Sequence, residues 1–215
     1  LMAEFDDIYL QSHVSENTDE VKWVAELFSD TRSYQDVYAR FGMLGPRALY
    51  GHAIHMDEAD LAQAAETNTK FVHCPTSNLF IGSGLFRLNE TRRAGVDVML
   101  GCDVGGGTSL SPFATMKAAY EIAQFSGYSL TPEEAFWLST AGGAEALSLG
   151  DKIGRLAPGY EADIVVIDVN STPVIRQRMA RAETLRDELF AQMILADDRA
   201  VRATYAGGVR LHEKT

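Results

Sequence analysis

The feature that most limits what this chain can fold into is an alternation that repeats through its first two thirds. Four times, a short apolar strand is followed by a polar or glycine-rich loop and then an amphipathic helix. The first strand is read at Ile8 to Ser12, with a helix from about Thr18 to Phe28 whose Val21, Val24, Ala25 and Phe28 fall at helical spacing. The second strand lies at Ala48 to Tyr50, with a helix from about Asp57 to Glu66. The third runs Lys70 to Cys74, is stopped by Pro75, and has its helix at about Leu85 to Ala94, closed by Gly95. The fourth is Val96 to Gly101, with a helix from about Pro112 to Ser126. Such alternation specifies a parallel sheet covered by helices, because parallel strands need crossover connections and are buried on both faces.

A further helix is expected from Thr131 to about Leu147 or Ser148. Thr131 serves as its N-cap, Pro132 as its first residue and Glu134 as the reciprocal cap. The character then changes. Gly154, Pro158 and Gly159 punctuate a turn, Ala162 to Val169 reads as a buried strand, and Glu183 to Ala196 as a helix. Val201 to Ala206, Gly207-Gly208 and Val209 to His212 read as a β-hairpin. A domain boundary is therefore placed near residue 150. Residues 1–150 form the α/β part, and 151–215 a small β-rich part with a helix.

Charge and cysteine content narrow the partners. With 19 Lys and Arg against 30 Asp and Glu, the formal charge of −11 repels phosphate backbones, and no basic stripe offsets it; a nucleic-acid polymer is excluded. No apolar run is long enough to span a membrane, and no basic-then-apolar N-terminal segment marks a signal peptide. The two cysteines, Cys74 and Cys102, form no disulfide framework and read as small core residues, which suits a reducing cytoplasm.

The polar residues that carry chemistry cluster where the strands end. His13 and Glu16 follow the first strand and His52 the second; His73, Cys74, Ser77 and Asn78 close the third; Asp103 follows the fourth, ahead of Gly105-Gly106-Gly107. In parallel α/β folds, active sites sit at these carboxyl ends. Each residue also has a plainer reading. A carboxylate at Glu16 suits a helix start, and an aspartate before glycines is a common turn former. His73 lies within an apolar strand and reads as structural or supporting, His55 as a loop histidine, and His212 as a hairpin residue without a role. The glycine run lacks the Lys-Ser/Thr pair of a phosphate loop and is rejected as one. Taken together, imidazole and carboxylate at one rim form a donor set that suits Zn²⁺ or Fe²⁺.

The stretches SHVSEN (Ser12 to Asn17), GHAIH (Gly51 to His55), HCPTSN (His73 to Asn78) and GCDVGG (Gly101 to Gly106) occur in this order. As a set they resemble the metal-dependent amidohydrolase superfamily and, within it, the guanine deaminase family. LFIGSGLF after HCPTSN, the segment from Thr131 to Asp168, and LADDRAVRATYAGG extend the resemblance over nearly the whole chain from Ile8.

The resemblance implies a (β/α)₈ TIM barrel with a small β-sandwich domain, and hydrolysis of guanine to xanthine and ammonia. It implies one Zn²⁺ (Fe²⁺ the alternative) held by His13, by Asp103 and by two histidines of a His-x-His motif. It makes Glu16 the proton shuttle, His52 the group that hydrogen-bonds the attacking water and the tetrahedral centre, and Asp103 the acceptor of the water's proton. His13, Glu16 and Asp103 line the substrate. A cytoplasmic homodimer is the implied form of the whole enzyme.

The chain's departure from the family is large. Its histidines are His13, His52, His55, His73 and His212, so no His-x-His is present. It opens on Leu1-Met2-Ala3 and supplies four strand–helix units where a barrel needs eight. The expectation is the C-terminal half of such an enzyme, strands five to eight plus part of the small domain, inactive by itself. Two alternatives carry the same motifs: an amidohydrolase acting on another amino-substituted heterocycle or nucleoside, and an inactive half-barrel that serves as a binding module.

Overall fold

The computed structural model describes residues 4–5 and 7–214; the opening Leu1-Met2-Ala3 lies outside the described residues. Four strands, β1 (Leu10–Val14), β2 (Ala48–His52), β3 (Lys70–His73) and β4 (Val98–Leu100), form one parallel sheet in the order β1-β2-β3-β4. Between them run α1 (Thr18–Leu27), α2 (Tyr34–Arg40), α3 (Glu58–Glu66), α4 (Pro75–Phe80) and α5 (Leu88–Arg93). After β4 come α6 (Pro112–Phe125), α7 (Pro132–Leu138) and α8 (Ala141–Ala146). The chain continues through β5 (Ile164–Ile167), α9 (Pro173–Met179), α10 (Leu185–Leu195), β6 (Val201–Ala206) and β7 (Val209–Glu213). β5, β6 and β7 form a separate antiparallel sheet in that order.

The register of the parallel sheet levels the strand ends. Val14 pairs with His52, and His73 with Leu100, so the loops that follow the strands open on the same rim. Beneath that rim the core is built from Val14, Tyr50, Phe71, Phe86, Leu130, Leu138 and Met193, all essentially inaccessible to solvent. Met193 belongs to α10, which packs on α6 and α7, so residues beyond 150 help to close the same apolar cluster. Among the described residues, no helix is long and apolar enough to cross a membrane.

Local chemistry explains most element boundaries. Asn17 caps α1 by accepting from the backbone N–H groups of Asp19 and Glu20. Asp57 and Asp60 form a reciprocal cap on α3, as Thr131 and Glu134 do on α7. Ala94 caps α5, and Gly95 beyond it takes a φ of +89°, the conformation expected of a helix-ending glycine.

The structure corrects several expectations. The helix expected over 131–148 is two helices broken at Thr140, whose φ is −133° and ψ −100°. Ser139 and Thr140 turn their hydroxyls back onto the carbonyls of Ala135 and Phe136, at 3.0 and 2.7 Å, and compete with the helical ladder. Gly142 then lies so close to the Trp137 ring that a Cβ there would meet it at 2.6 Å, so the break is also a packing device. Pro75 stops β3 as expected but is also the first residue of α4, a short helix the alternation pattern hides. The helices α2 and α9, each of seven residues, are likewise absent from the sequence reading. The strand expected to be buried at Ala162 to Val169 is shorter, Ile164–Ile167, and its Val165 and Val166 are exposed. It pairs with β6 in the small sheet, so an apolar run here marks a strand without marking burial. Cys102 is half-buried rather than in the core, whereas Cys74 is buried; both are free thiols.

His73 ends β3 fully buried, stacked on Phe86 with ring centroids 4.6 Å apart. Burial, and secondarily the neighbouring His52, push its imidazole down to about 3. The unfolded chain takes up this proton near pH 6.5, the folded chain only near pH 3, so protonation favours unfolding. Stability from this residue is therefore complete above pH 6.5 and drains away as pH falls from there toward 3. Between pH 7 and pH 5, the wild-type chain is expected to lose about 2 kcal/mol more unfolding free energy than His73→Gln, read by urea titration at both pH values. Equal losses would show that His73 is not protonated preferentially in the unfolded chain.

Gly101 marks the close approach of β4's end to β3. A Cβ there would meet Val72 Cγ1 at 2.6 Å and Cys74 Sγ at 3.5 Å. Valine is stiff at χ1 and cannot swing aside cheaply. Gly101→Ala is expected to cost roughly 1–3 kcal/mol, read as a lowered denaturant midpoint at unchanged slope.

Candidate active site

The ends of three parallel strands, β1, β2 and β4, bring His13, Glu16, His52 and Asp103 to one place. His13 is the penultimate residue of β1, with its side chain 63% exposed, and Glu16 follows in the loop, 13% exposed. His52 ends β2, only 2% exposed, and Asp103 lies beyond β4, 34% exposed. His52 Nε2 stands 3.3 Å from His13 Nδ1, 3.6 Å from Glu16 Oε2 and 3.8 Å from Asp103 Oδ2. Glu16 Oε2 is in turn 3.9 Å from His13 Nδ1, and the two imidazoles stack at 5.3 Å.

The backbone reaches this arrangement by leaving the common conformations. His52, Ala53 and Asp103 have φ of +68°, +46° and +48°, and Ser15 beside Glu16 has +48°. Non-glycine residues in this region cost of order 1–3 kcal/mol each and gather where a site demands them. The bend after β2 is held by hydrogen bonds to β1's loop: Ala53 N donates to Val14 O, and Ile54 N and His55 N both donate to Ser15 O. The turn at Asp103 closes through Gly107 N donating to Asp103 O at 2.5 Å. A Cβ on Gly107 would overlap the Cys102 carbonyl, and one on Gly106 would lie 2.5 Å from Ser77 Oγ and 3.2 Å from Asp103 Oδ2. The glycine run is thus the tight backing of Asp103, and it has no need to bind phosphate.

Neighbours fix the orientation of His52 and Glu16 and tie down the backbone at His13. Asn78 Oδ1 lies 2.8 Å from His52 Nδ1, and because that oxygen only accepts, the ring donates from Nδ1 and turns Nε2 toward the other three. Tyr38 OH donates to His13 O at 2.9 Å and meets Ser12 Oγ at 3.1 Å. Glu16 N donates to Glu20 Oε2, and Glu20 Oε1 accepts from Tyr34 OH at 3.1 Å. Burial, with Tyr38 and Glu20 beside it, raises the Tyr34 phenol, which keeps it a donor. Ser83 Oγ donates to Glu16 Oε1 at 2.9 Å. Burial pushes the Cys74 thiol up to about 12, so it is no nucleophile.

Of the residues singled out from sequence, the structure therefore brings His13, Glu16, His52 and Asp103 together and leaves His212 apart on β7. His55 stands at the edge of the site, with Nε2 3.1 Å from Ser83 O. Ser83, Glu20 and Tyr38 went unmarked by sequence. For Ser83 a signal existed in the glycine-flanked stretch LFIGSGLF.

One ligand atom each from His13, Glu16 and His52 lie within 4.8 Å of one another, and Asp103 joins through His52 Nε2. Facing ring nitrogens ringed by carboxylate oxygens form a hard-to-borderline donor set that fits Zn²⁺ or Fe²⁺.

A profile of the Amidohydrolase family matches residues 1–211. Guanine deaminase from Escherichia coli is 40% identical over 214 residues, covering 100% of this chain and 49% of that protein. Its solved structure superposes with a TM-score of 0.98 at 39% identity, covering 100% of this chain and 50% of that one. Guanine deaminase from C. acetobutylicum, solved with guanine bound in the active site, gives a TM-score of 0.87 at 29% identity, covering 98% and 50%. The chain thus spans about half the length of the relatives it matches. With a matching profile over nearly all its residues and a rim built from His13, Glu16, His52 and Asp103, the chain belongs to the amidohydrolase family.

Proposed function

We propose that this chain carries the acid–base half of a zinc-dependent guanine deaminase, which hydrolyses guanine to xanthine and ammonia. The observation that carries the reading is the convergence of His13, Glu16 and Asp103 within 4 Å of either His52 Nε2 or each other. The two relatives named for guanine deamination, one of them with guanine bound, support the choice of substrate. Their length supports a barrel completed by a second half of about equal size, which would bring the His-x-His ligands this chain lacks. Residues 1–150 would then be the barrel part and 151–215 the small-domain part.

His13 and Asp103 would hold the metal from this side. When bound, the ion supplies a water acidified to a pKa of about 7 and polarised for attack. The remaining work falls to the side chains. Asp103 accepts the water's proton. Glu16 delivers its proton to a ring nitrogen of guanine, which makes C2 electrophilic. As the tetrahedral centre collapses, Asp103 passes the water's proton to the departing amino group, which leaves as ammonia, and Glu16 recovers a proton from the C2 hydroxyl as the carbonyl forms. His52, whose Nδ1–H is committed to Asn78 Oδ1, presents Nε2 as an acceptor to the O–H of the attacking water and of the tetrahedral centre it forms. The exposed flank of His13 and Asp103 leaves room for a planar ring above this group.

The decisive experiment uses the full-length, zinc-loaded protein with guanine, scored by ammonia and xanthine release. Glu16→Gln is expected to lower kcat about 10²–10⁴-fold while zinc stays near one per chain. Full turnover by Glu16→Gln would remove the proton-transfer role, and absence of wild-type activity on guanine would remove the substrate.

A further inference from the structure

Ser83 stands out among the residues that touch the site without being assigned to it. It is buried, on the loop between α4 and α5, and Gly82 and Gly84 on either side have φ of +74° and +133°. Those conformations are open only to glycine without strain, so the loop is shaped around the serine between them. Its backbone is pinned from both directions. Ser83 N donates to Asn78 O at 2.9 Å, and Ser83 O accepts from His55 Nε2 at 3.1 Å. Its hydroxyl is thereby aimed at Glu16 Oε1, 2.9 Å away.

We propose that Ser83 is the positioning residue for Glu16, holding Oε1 so that Oε2 alone faces the reacting centre. The distances carry this division. Oε1 is engaged by the serine, whereas Oε2 is the oxygen that lies 3.6 Å from His52 Nε2 and 3.9 Å from His13 Nδ1. A glutamate has three side-chain torsions, and proton transfer needs one oxygen at a fixed place. The serine removes that freedom by a hydrogen bond from a pinned loop. His55 acts one step further out, through the Ser83 carbonyl. This inference rests on the proton-transfer role given to Glu16 above.

The test is a double-mutant cycle on the full-length, zinc-loaded protein with guanine. Ser83→Ala is expected to lower kcat about 10–100-fold, with KM and zinc content near wild type. Ser83→Thr, which keeps the hydroxyl, should restore at least a third of wild-type kcat. In a Glu16→Gln background, Ser83→Ala should cost nothing further, because the group it positions is already disabled. If Glu16→Gln is inactive but Ser83→Ala keeps kcat within twofold, the positioning role falls and the role of Glu16 stands. Losses that multiply in the double variant would show that Ser83 acts by another route. A Glu16→Gln variant that remains active would overturn both.

Discussion

Parallel pairing of β1 to β4 is the constraint on which the site depends. Each strand is only three to five residues long, so its polar end residues cannot wander from the rim that the register sets. Because Val14 pairs with His52, the loop from Ser15 onward and the bend at Ala53 start level, and three backbone bonds can tie one to the other. That tie is what allows His52 Nε2 and Glu16 Oε2 to come within 3.6 Å though they are far apart in sequence. A slip by one residue would turn the strand's side chains to opposite faces and separate the groups.

The same constraint explains why the rim carries strain and the core does not. A strand that continued straight would carry His52 past the centre, so the chain bends at left-handed φ through His52 and Ala53, and again at Ser15 and Asp103. The stabilisation that offsets this comes from beneath, where Tyr50, Phe71, Phe86 and Leu138 are wholly buried at roughly 1.5–3 kcal/mol for each large apolar side chain. Glycines placed behind the bends let backbone segments touch. At Gly101, Gly106 and Gly107 even a methyl group would collide with Val72, Ser77 or Cys102. Rigid strands below and over-determined turns above give a site whose groups are placed before any substrate arrives.

Much of this was legible in the sequence. The parallel α/β class follows from the alternation, and His13, Glu16, His52 and Asp103 are all visible as polar residues at apolar strand ends. What escaped detection has identifiable causes. Short helices such as α4 leave no period to read, and Pro75, which ends one element, also begins the next. The break at Thr140 depends on hydroxyls folding back onto Ala135 and Phe136, a choice that only the tertiary seat of Trp137 over Gly142 decides. The exposure of Val165 and Val166 cannot be told from strand composition, since a buried and an exposed β-strand share it. Ser83, sixty-seven positions beyond Glu16, gives no spacing signal at all.

The supporting residues divide each of two side chains into a held atom and a free one. His52 is held at Nδ1 by Asn78 and offers Nε2; Glu16 is held at Oε1 by Ser83 and offers Oε2. Both holders come from the segment after β3, within and just beyond α4, and Ser83 N is bonded to the carbonyl of Asn78 itself. The two working groups therefore share a single support although they stand on different strands. A displacement of α4 would carry the held atoms of His52 and Glu16 together and preserve the distance between their working atoms. Independent supports would let that distance vary with each loop's motion. The proton transfer proposed for these groups tolerates little such variation, because misplacement on the scale of 1 Å can cost about 10²-fold in rate. The segment after β3, a strand that bears no proposed catalytic residue itself, thus supplies the common support of groups that stand on β1's loop and on β2.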